Sequence, residues 1–131
     1  MIFPRGVLLL SACAFAFFGA WGFVAPENQV TLVDVGVPTA TARTDVRAQY
    51  GGFTLGMGVF LFVCFLRREW TSPGLAGSAI TLTGFVAARV FSVSTDGPVS
   101  PTIFKLMACE GSGAVLSWIG WRMSARRTAA L

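Results

Sequence analysis

The chain contains no histidine. That removes the commonest general base, the usual imidazole metal ligand and histidine ligation of haem. Charge is also scarce. Asp, Glu, Lys and Arg make up 12% of the 131 residues, where soluble domains carry about 25%. The three cysteines, Cys13, Cys64 and Cys109, are odd in number and form no CxxC pair. Neither a disulfide framework nor a metal site is expected, and each reads as a small buried apolar residue. A nucleotide-binding glycine loop, a nucleophile–base constellation and an internal repeat are all missing, and no cofactor is implied.

What remains is apolar: 54% of the residues are hydrophobic. This composition predicts an integral membrane protein made of one domain over residues 1–131, with no room for a soluble catalytic domain beside the spans. The net charge of +4 does not point to nucleic acid. The basic residues sit beside apolar segments, and no face combines them with aromatic side chains as a nucleic-acid platform would.

A membrane-spanning helix needs about 20 mostly apolar residues. Four segments qualify, at about 6–24, 48–66, 75–93 and 101–121, giving an all-α four-helix membrane bundle. The second is short unless its helix begins earlier, with Thr44 or Asp45 as N-cap. Pro101 suits a first helical turn, where its missing N–H would be unpaired anyway. The first segment has a rival reading as a cleaved signal peptide, because Arg5, the apolar run and the small residues Ala20 and Gly22 fit that pattern.

Charge sets the orientation. Arg5, Arg67, Arg68, Arg122, Arg126 and Arg127 flank the spans on one side, with Glu69 the only acid there. The other side carries Glu27, Asp34, Asp45 and Asp96 against Arg43 and Arg47. The positive-inside rule then makes both termini and the loop at Arg67–Gly74 cytoplasmic. Trp70 and Trp121 fall at an inner aromatic belt and Trp21 at an outer one. The outer link Thr95-Asp96-Gly97-Pro98 reads as a tight turn, so the last two spans form an antiparallel hairpin. The first outer loop is long. Its stretch Gln29–Val35 alternates in the manner of a strand and reads as an extended cap over the outer mouth.

Helices associate in lipid through close packing and polar contacts. Small residues at four-residue spacing nominate Gly52 and Gly56 in the second span, Gly84 in the third, and Ser112 and Gly113 in the fourth as packing positions.

Two charges stand inside apolar stretches, Arg89 and Glu110. A charge at the centre of a span costs about 2.5–3.5 kcal/mol on insertion scales, so a chain that keeps one of each sign pairs them or uses them on a ligand. At 1.5 Å per residue, Arg89 lies about one turn below the outer boundary and Glu110 about 13 Å down. They sit on adjacent antiparallel helices, within reach of a long arginine side chain. Lys105, five residues from Glu110, points elsewhere and snorkels to the headgroups. Asp45, Arg47 and Tyr50 open the second span at the same outer level. Thr54, Thr81, Thr83 and Ser92 add hydroxyls that either join a network or bond their own backbone.

The run Thr44-Asp45-Val46-Arg47-Ala48-Gln49-Tyr50-Gly51-Gly52 with Gly56 and Gly58, then Arg89, Ser92, Asp96-Gly97-Pro98, Ser100 and Glu110, resembles the DUF4345 family of small bacterial membrane proteins. The likeness runs from about Ala25 onward. It implies a multi-pass four-helix protein of the bacterial inner membrane with no assigned activity. It transfers no catalytic residue, and it adds weight to Arg47, Tyr50, Arg89, Asp96 and Glu110 as ligand- or partner-binding positions.

Three readings of function follow. The first is non-enzymatic: an accessory subunit of a larger membrane complex, or a binder of a lipid or other amphipathic molecule, with a homo-oligomer as a further possibility. The second is a small intramembrane isomerase or reductase on a hydrophobic substrate, with Glu110 or Tyr50 as acid/base. The third is a transporter or proton-path subunit. Against all three stands a purely structural Arg89–Glu110 clamp.

Overall fold

A computed structural model describes the backbone of residues 2–128 and the side chains as far as Arg126. Arg127, counted above among the basic flanks, lies outside the described side chains. All regular structure in the described residues is helical. The elements are α1 (Ile2–Val24), α2 (Pro26–Val30), a 3-10 turn (Thr31–Val33), α3 (Ala40–Val46), a π-helical stretch (Arg47–Phe53), α4 (Thr54–Leu66), a second 3-10 turn (Arg68–Trp70), α5 (Thr71–Thr95) and α6 (Pro101–Thr128). Three helices are long and apolar enough to cross a membrane: Ile2–Val24, Ala40–Leu66 and Arg68–Thr95. The 28 residues of α6 have the length, but Lys105 and Glu110 dilute their apolar character.

The elements start where local chemistry lets them. The second long helix begins at Ala40, not near residue 48 or at a Thr44 or Asp45 cap, because the Thr39 hydroxyl accepts the Ala42 N–H at 3.1 Å. Thr44 instead sits inside the helix and donates to the Ala40 carbonyl. Ser72-Pro73-Gly74 is not a turn but the first turn of α5. Proline is tolerated there because its N–H would have no helical partner. Gln29–Val35, expected to be an extended cap, is helical as far as Val33. Pro26 opens α2, the Thr31 hydroxyl donates to the Asn28 carbonyl, and Asp34 ends the segment in the left-handed region at φ 59°. Ser100 caps α6: its side chain accepts the Thr102 N–H, and Pro101 takes the first helical position.

The long helices pair as α1 with the π-helical stretch and α4, and α5 with α6. The first pair forms a seam along its whole length. A Cβ on Gly58 would stand 2.5 Å from the Ala16 nitrogen, one on Gly51 would stand 2.6 Å from the Phe23 nitrogen, and one on Gly19 would strike the Leu55 backbone. The second pair is joined by the buried Ser78–Ser117 hydroxyl contact at 3.1 Å, by Trp118 Nε1 donating to Thr83 Oγ1, and by Gly113 against Leu82. Of the expected packing positions only Gly113 is in close contact. Gly56 and Gly84 face open space, Gly52 has only its own helix nearby, and Ser112 is exposed with its hydroxyl bonded to the Cys109 carbonyl. Cys64 is buried, while Cys13 and Cys109 lie on exposed faces.

The two pairs meet in one half only. At the end holding the start of α1 and the turn between α4 and α5, Val7, Leu8, Ala12, Phe15, Leu61, Cys64 and Leu75 form the core. Arg5 stacks over Phe65 at 4.7 Å there, and Gly120 of α6 faces Pro4 of α1. Towards the far end the pairs part. No residue of α5 after Ala79 and none of α6 before Ala114 is buried. Met57 and Leu82 are partly buried and pack against the core.

If the glycine seam holds the first pair together, Gly58→Ala loses about 1–3 kcal/mol through overpacking against backbone. Gly56→Ala, facing open space, is neutral or gains up to about 1 kcal/mol of helix propensity. Thermal unfolding of both variants in detergent micelles checks the difference; equal losses would rule out the seam.

Candidate functional site

Arg89 lies six residues before the end of α5, and Glu110 nine residues into α6. The levels differ by about 4.5 Å at 1.5 Å per residue, an offset that an extended arginine spans. The link between the helices fixes that register. Asp96 ends α5, Gly97 turns the chain at φ 95°, and Ser100 starts α6.

The structure joins the two charges in a bidentate pair. Arg89 Nε donates to Glu110 Oε2 and Nη2 to Oε1, each at 2.8 Å. The side chains are 28% and 17% exposed. Fork-to-fork geometry is the strongest form of this contact. Tyr50 lies in the π-helical stretch of the second long helix and is 42% exposed, with no hydrogen bond to the pair among the described residues.

Tyr50 is placed by the π-helical stretch. A π turn widens the helix by one residue and occurs often at functional sites. Here it lets the Tyr50–Gly51 backbone lie against the Gly22–Phe23 backbone of α1. The widening is satisfied locally, with the Thr54 hydroxyl donating to the Gln49 carbonyl.

The other sequence candidates lie apart from the pair. Arg47 Nε donates to the Phe23 carbonyl at 2.9 Å. It caps the last turn of α1, where carbonyls lack helical partners. Asp96 is exposed at the end of α5 and accepts from its neighbour Thr95. Lys105 is exposed, and Asp45 is exposed near the start of the second long helix. Thr83 donates to the Ala79 carbonyl and serves its own helix as well as Trp118.

Sequence reasoning passed over three contacts that shape the far end. Gln29 Nε2 donates to the Phe18 carbonyl, Arg43 pairs with Glu27, and the Thr31–Val33 turn reaches α6. Together they tie the loop to α1, α3 and α6. The polar Glu27–Gln29 run beside Pro26 was the available signal for a folded loop.

Removing one partner from a buried ion pair strands the other and costs about 3–5 kcal/mol. Arg89→Ala therefore destabilises the protein by about 3 kcal/mol, near the lower bound because both groups keep some exposure. Lys105→Ala changes stability by less than about 0.5 kcal/mol. The Arg89→Ala/Glu110→Ala double variant recovers part of the loss. Thermal denaturation in one detergent gives the cycle, and a loss for Lys105→Ala as large as that for Arg89→Ala would contradict the pairing.

No curated protein and no solved structure shows significant similarity to the chain. A family model does: the one described as domain of unknown function DUF4345 matches residues 3–129. The chain accordingly belongs to the DUF4345 family.

Proposed function

We propose that this protein is a non-enzymatic, four-span protein of the bacterial inner membrane that holds a lipid or other amphipathic molecule against the little-buried far end of α5 and α6. One observation carries the reading. The Arg89–Glu110 pair sits on the stretch of α5 and α6 that no third helix covers, beside exposed Phe85, Phe91 and Phe104. Apolar walls around a polar point suit a molecule with an apolar tail and a polar head.

Topology follows from the charge distribution. Arg5, Arg67, Arg68, Arg122 and Arg126 gather at the end that holds the α4–α5 turn, and Glu69 is the only acid among them. Under the positive-inside rule that end is cytoplasmic, and the Arg89–Glu110 pair lies in the outer half of the bilayer. The fourth crossing is α6, whose two charges lie in that outer half, one paired and one near the headgroups.

The open faces of Gly52 and Gly56 support a second reading, in which the same bundle docks as an accessory subunit beside a larger membrane protein. In either reading no group on α5 or α6 is assigned a chemical step. Both oxygens of Glu110 are engaged by Arg89, so Glu110 is a poor general base and a poor carrier on a proton path.

Two measurements test this. Native mass spectrometry of the protein, gently extracted from its own membrane, should show a discrete small-molecule adduct; a bare chain would contradict the binding role. In a cysteine-free background, Asp96→Cys should react with a membrane-impermeant maleimide added to intact spheroplasts, and Arg68→Cys only after permeabilisation. The reverse pattern would overturn the orientation.

A further inference from the structure

The basic end of the bundle has a groove of its own. On α6, Ile119, Arg122, Met123 and Arg126 line a shallow hollow of about 180 Å³. Their spacing of three and four residues sets them on one helix face, and all four are exposed. A drug-sized molecule needs a pocket of about 300 Å³ or more. The hollow therefore suits a small group, such as a lipid headgroup, and not a whole soluble ligand. Its position along the helix agrees. Gly120 of α6 faces Pro4 at the start of α1, so the groove lies where both helices leave the apolar stretch, the level at which lipid phosphates lie.

The two arginines differ from their neighbours at that end. Arg5 stacks over Phe65 and Arg67 over Trp70, and Arg5 Nη1 is enclosed by protein, out of reach of a headgroup. Arg122 and Arg126 meet no acid, no aromatic ring and no hydrogen-bond acceptor among the described residues. They are four residues apart on one helix, a spacing at which like charges repel. The positive-inside rule accounts for the number of arginines here, but not for two sharing a face with no acid between them. The helix dipole favours a cation in the last turn, which accounts for Arg126 and leaves Arg122 unexplained. An anion held between the two relieves the repulsion. Phosphate is the anion that the guanidinium fork fits best, through two parallel hydrogen bonds. The exposed Ile119 and Met123 beside the cations favour a phosphate that carries an apolar tail over a soluble one.

We propose that this face of α6 is a binding site for the phosphate of an anionic phospholipid. Arg122 and Arg126 donate to its non-bridging oxygens, and Ile119 and Met123 lie along the first part of an acyl chain. Basic pockets on the cytoplasmic side of membrane helices recognise anionic headgroups in this way. The site is at the opposite end of the bundle from the Arg89–Glu110 pair. It requires that α6 crosses the bilayer and is independent of any molecule held at the far end.

The test titrates the full chain, delipidated in a neutral detergent, with phosphatidylglycerol and with phosphatidylcholine of the same acyl chains, and reads bound lipid by native mass spectrometry. Phosphatidylglycerol should bind at least about tenfold more tightly, as expected where the charge-assisted contacts set the affinity. The Arg122→Gln/Arg126→Gln variant should lose that preference, with thermal stability unchanged because both side chains are exposed. Arg122→Lys/Arg126→Lys keeps the charge, loses the forks and should fall between the two. Arg67→Gln/Arg68→Gln removes the same charge from the same end outside the groove, and should change affinity by less than about threefold, the scale of screened attraction at a distance. Inorganic phosphate, compared with chloride at equal ionic strength, should not displace the lipid. Equal binding of the two lipids would overturn the proposal. Equal losses in the two Gln double variants would do so too, by making the attraction a diffuse one. Displacement by inorganic phosphate would make the occupant a soluble anion and would also overturn it. The far-end reading survives each of these results, since none of the variants touches α5 or α6 near Arg89 and Glu110.

Discussion

A guanidinium and a carboxylate placed among apolar helices have to find each other. Everything distinctive about the far half of this protein depends on that constraint. The Arg89–Glu110 contact sets the register of α5 against α6 where almost nothing else does, since burial in that half is slight. The Asp96–Ser100 link, with Gly97 at positive φ and Ser100 as cap, is short enough to keep the two residues about one side-chain length apart. Replacing such a pair with apolar residues is often neutral or stabilising, so a clamp alone is a weak reason for a membrane protein to carry these charges.

The rest of the fold divides the work between two kinds of packing. Near the basic end, Leu8, Leu61 and Leu75 fill a conventional core, and the serine pair Ser78–Ser117 joins α5 to α6. Along the first helix pair, glycines remove side chains so that backbones touch, the usual substitute for hydrophobic attraction between helices in lipid. The seam continues through the π-helical stretch to the far end, where the Tyr50–Gly51 backbone lies against Gly22 and Phe23. The core is concentrated at one end, and burial is slight at the other.

Some of this was legible in the sequence. Arg89 and Glu110 declared themselves because charge is rare in this chain, and counting residues from Val93 and Pro101 put them on neighbouring helices at similar depth. The membership of the family was legible in the Arg47–Gly52 run and the Asp96–Pro98 link. The start of the second long helix was not, because Ala40–Val46 is polar and has no apolar periodicity; a single hydroxyl, that of Thr39, decides it. Alternation over Gln29–Val35 is too short to tell a strand from successive helical turns, and Pro26 settled the matter. The glycine stripes were visible, but their partners were not. Gly52 and Gly56 share one four-residue spacing, Gly51 and Gly58 lie two turns apart on another face, and only the fold shows that the latter meets α1. Arg47 was grouped with the site by level alone, whereas the end of α1 had the stronger claim on its N–H donors.

The claim at the centre of this account is that the little-buried far end of α5 and α6, beside the ion pair, holds a small membrane-soluble molecule. The most direct measurement is photocrosslinking in the native membrane from a benzophenone side chain placed at Tyr50, followed by mass analysis of the intact product. The account predicts that the dominant product is the chain plus one small amphipathic molecule. A product in which position 50 is joined to α5 or α6 of its own chain would mean that the far end is covered by the protein itself, and a product joined to another protein would mean that the face is an interface; either would contradict it.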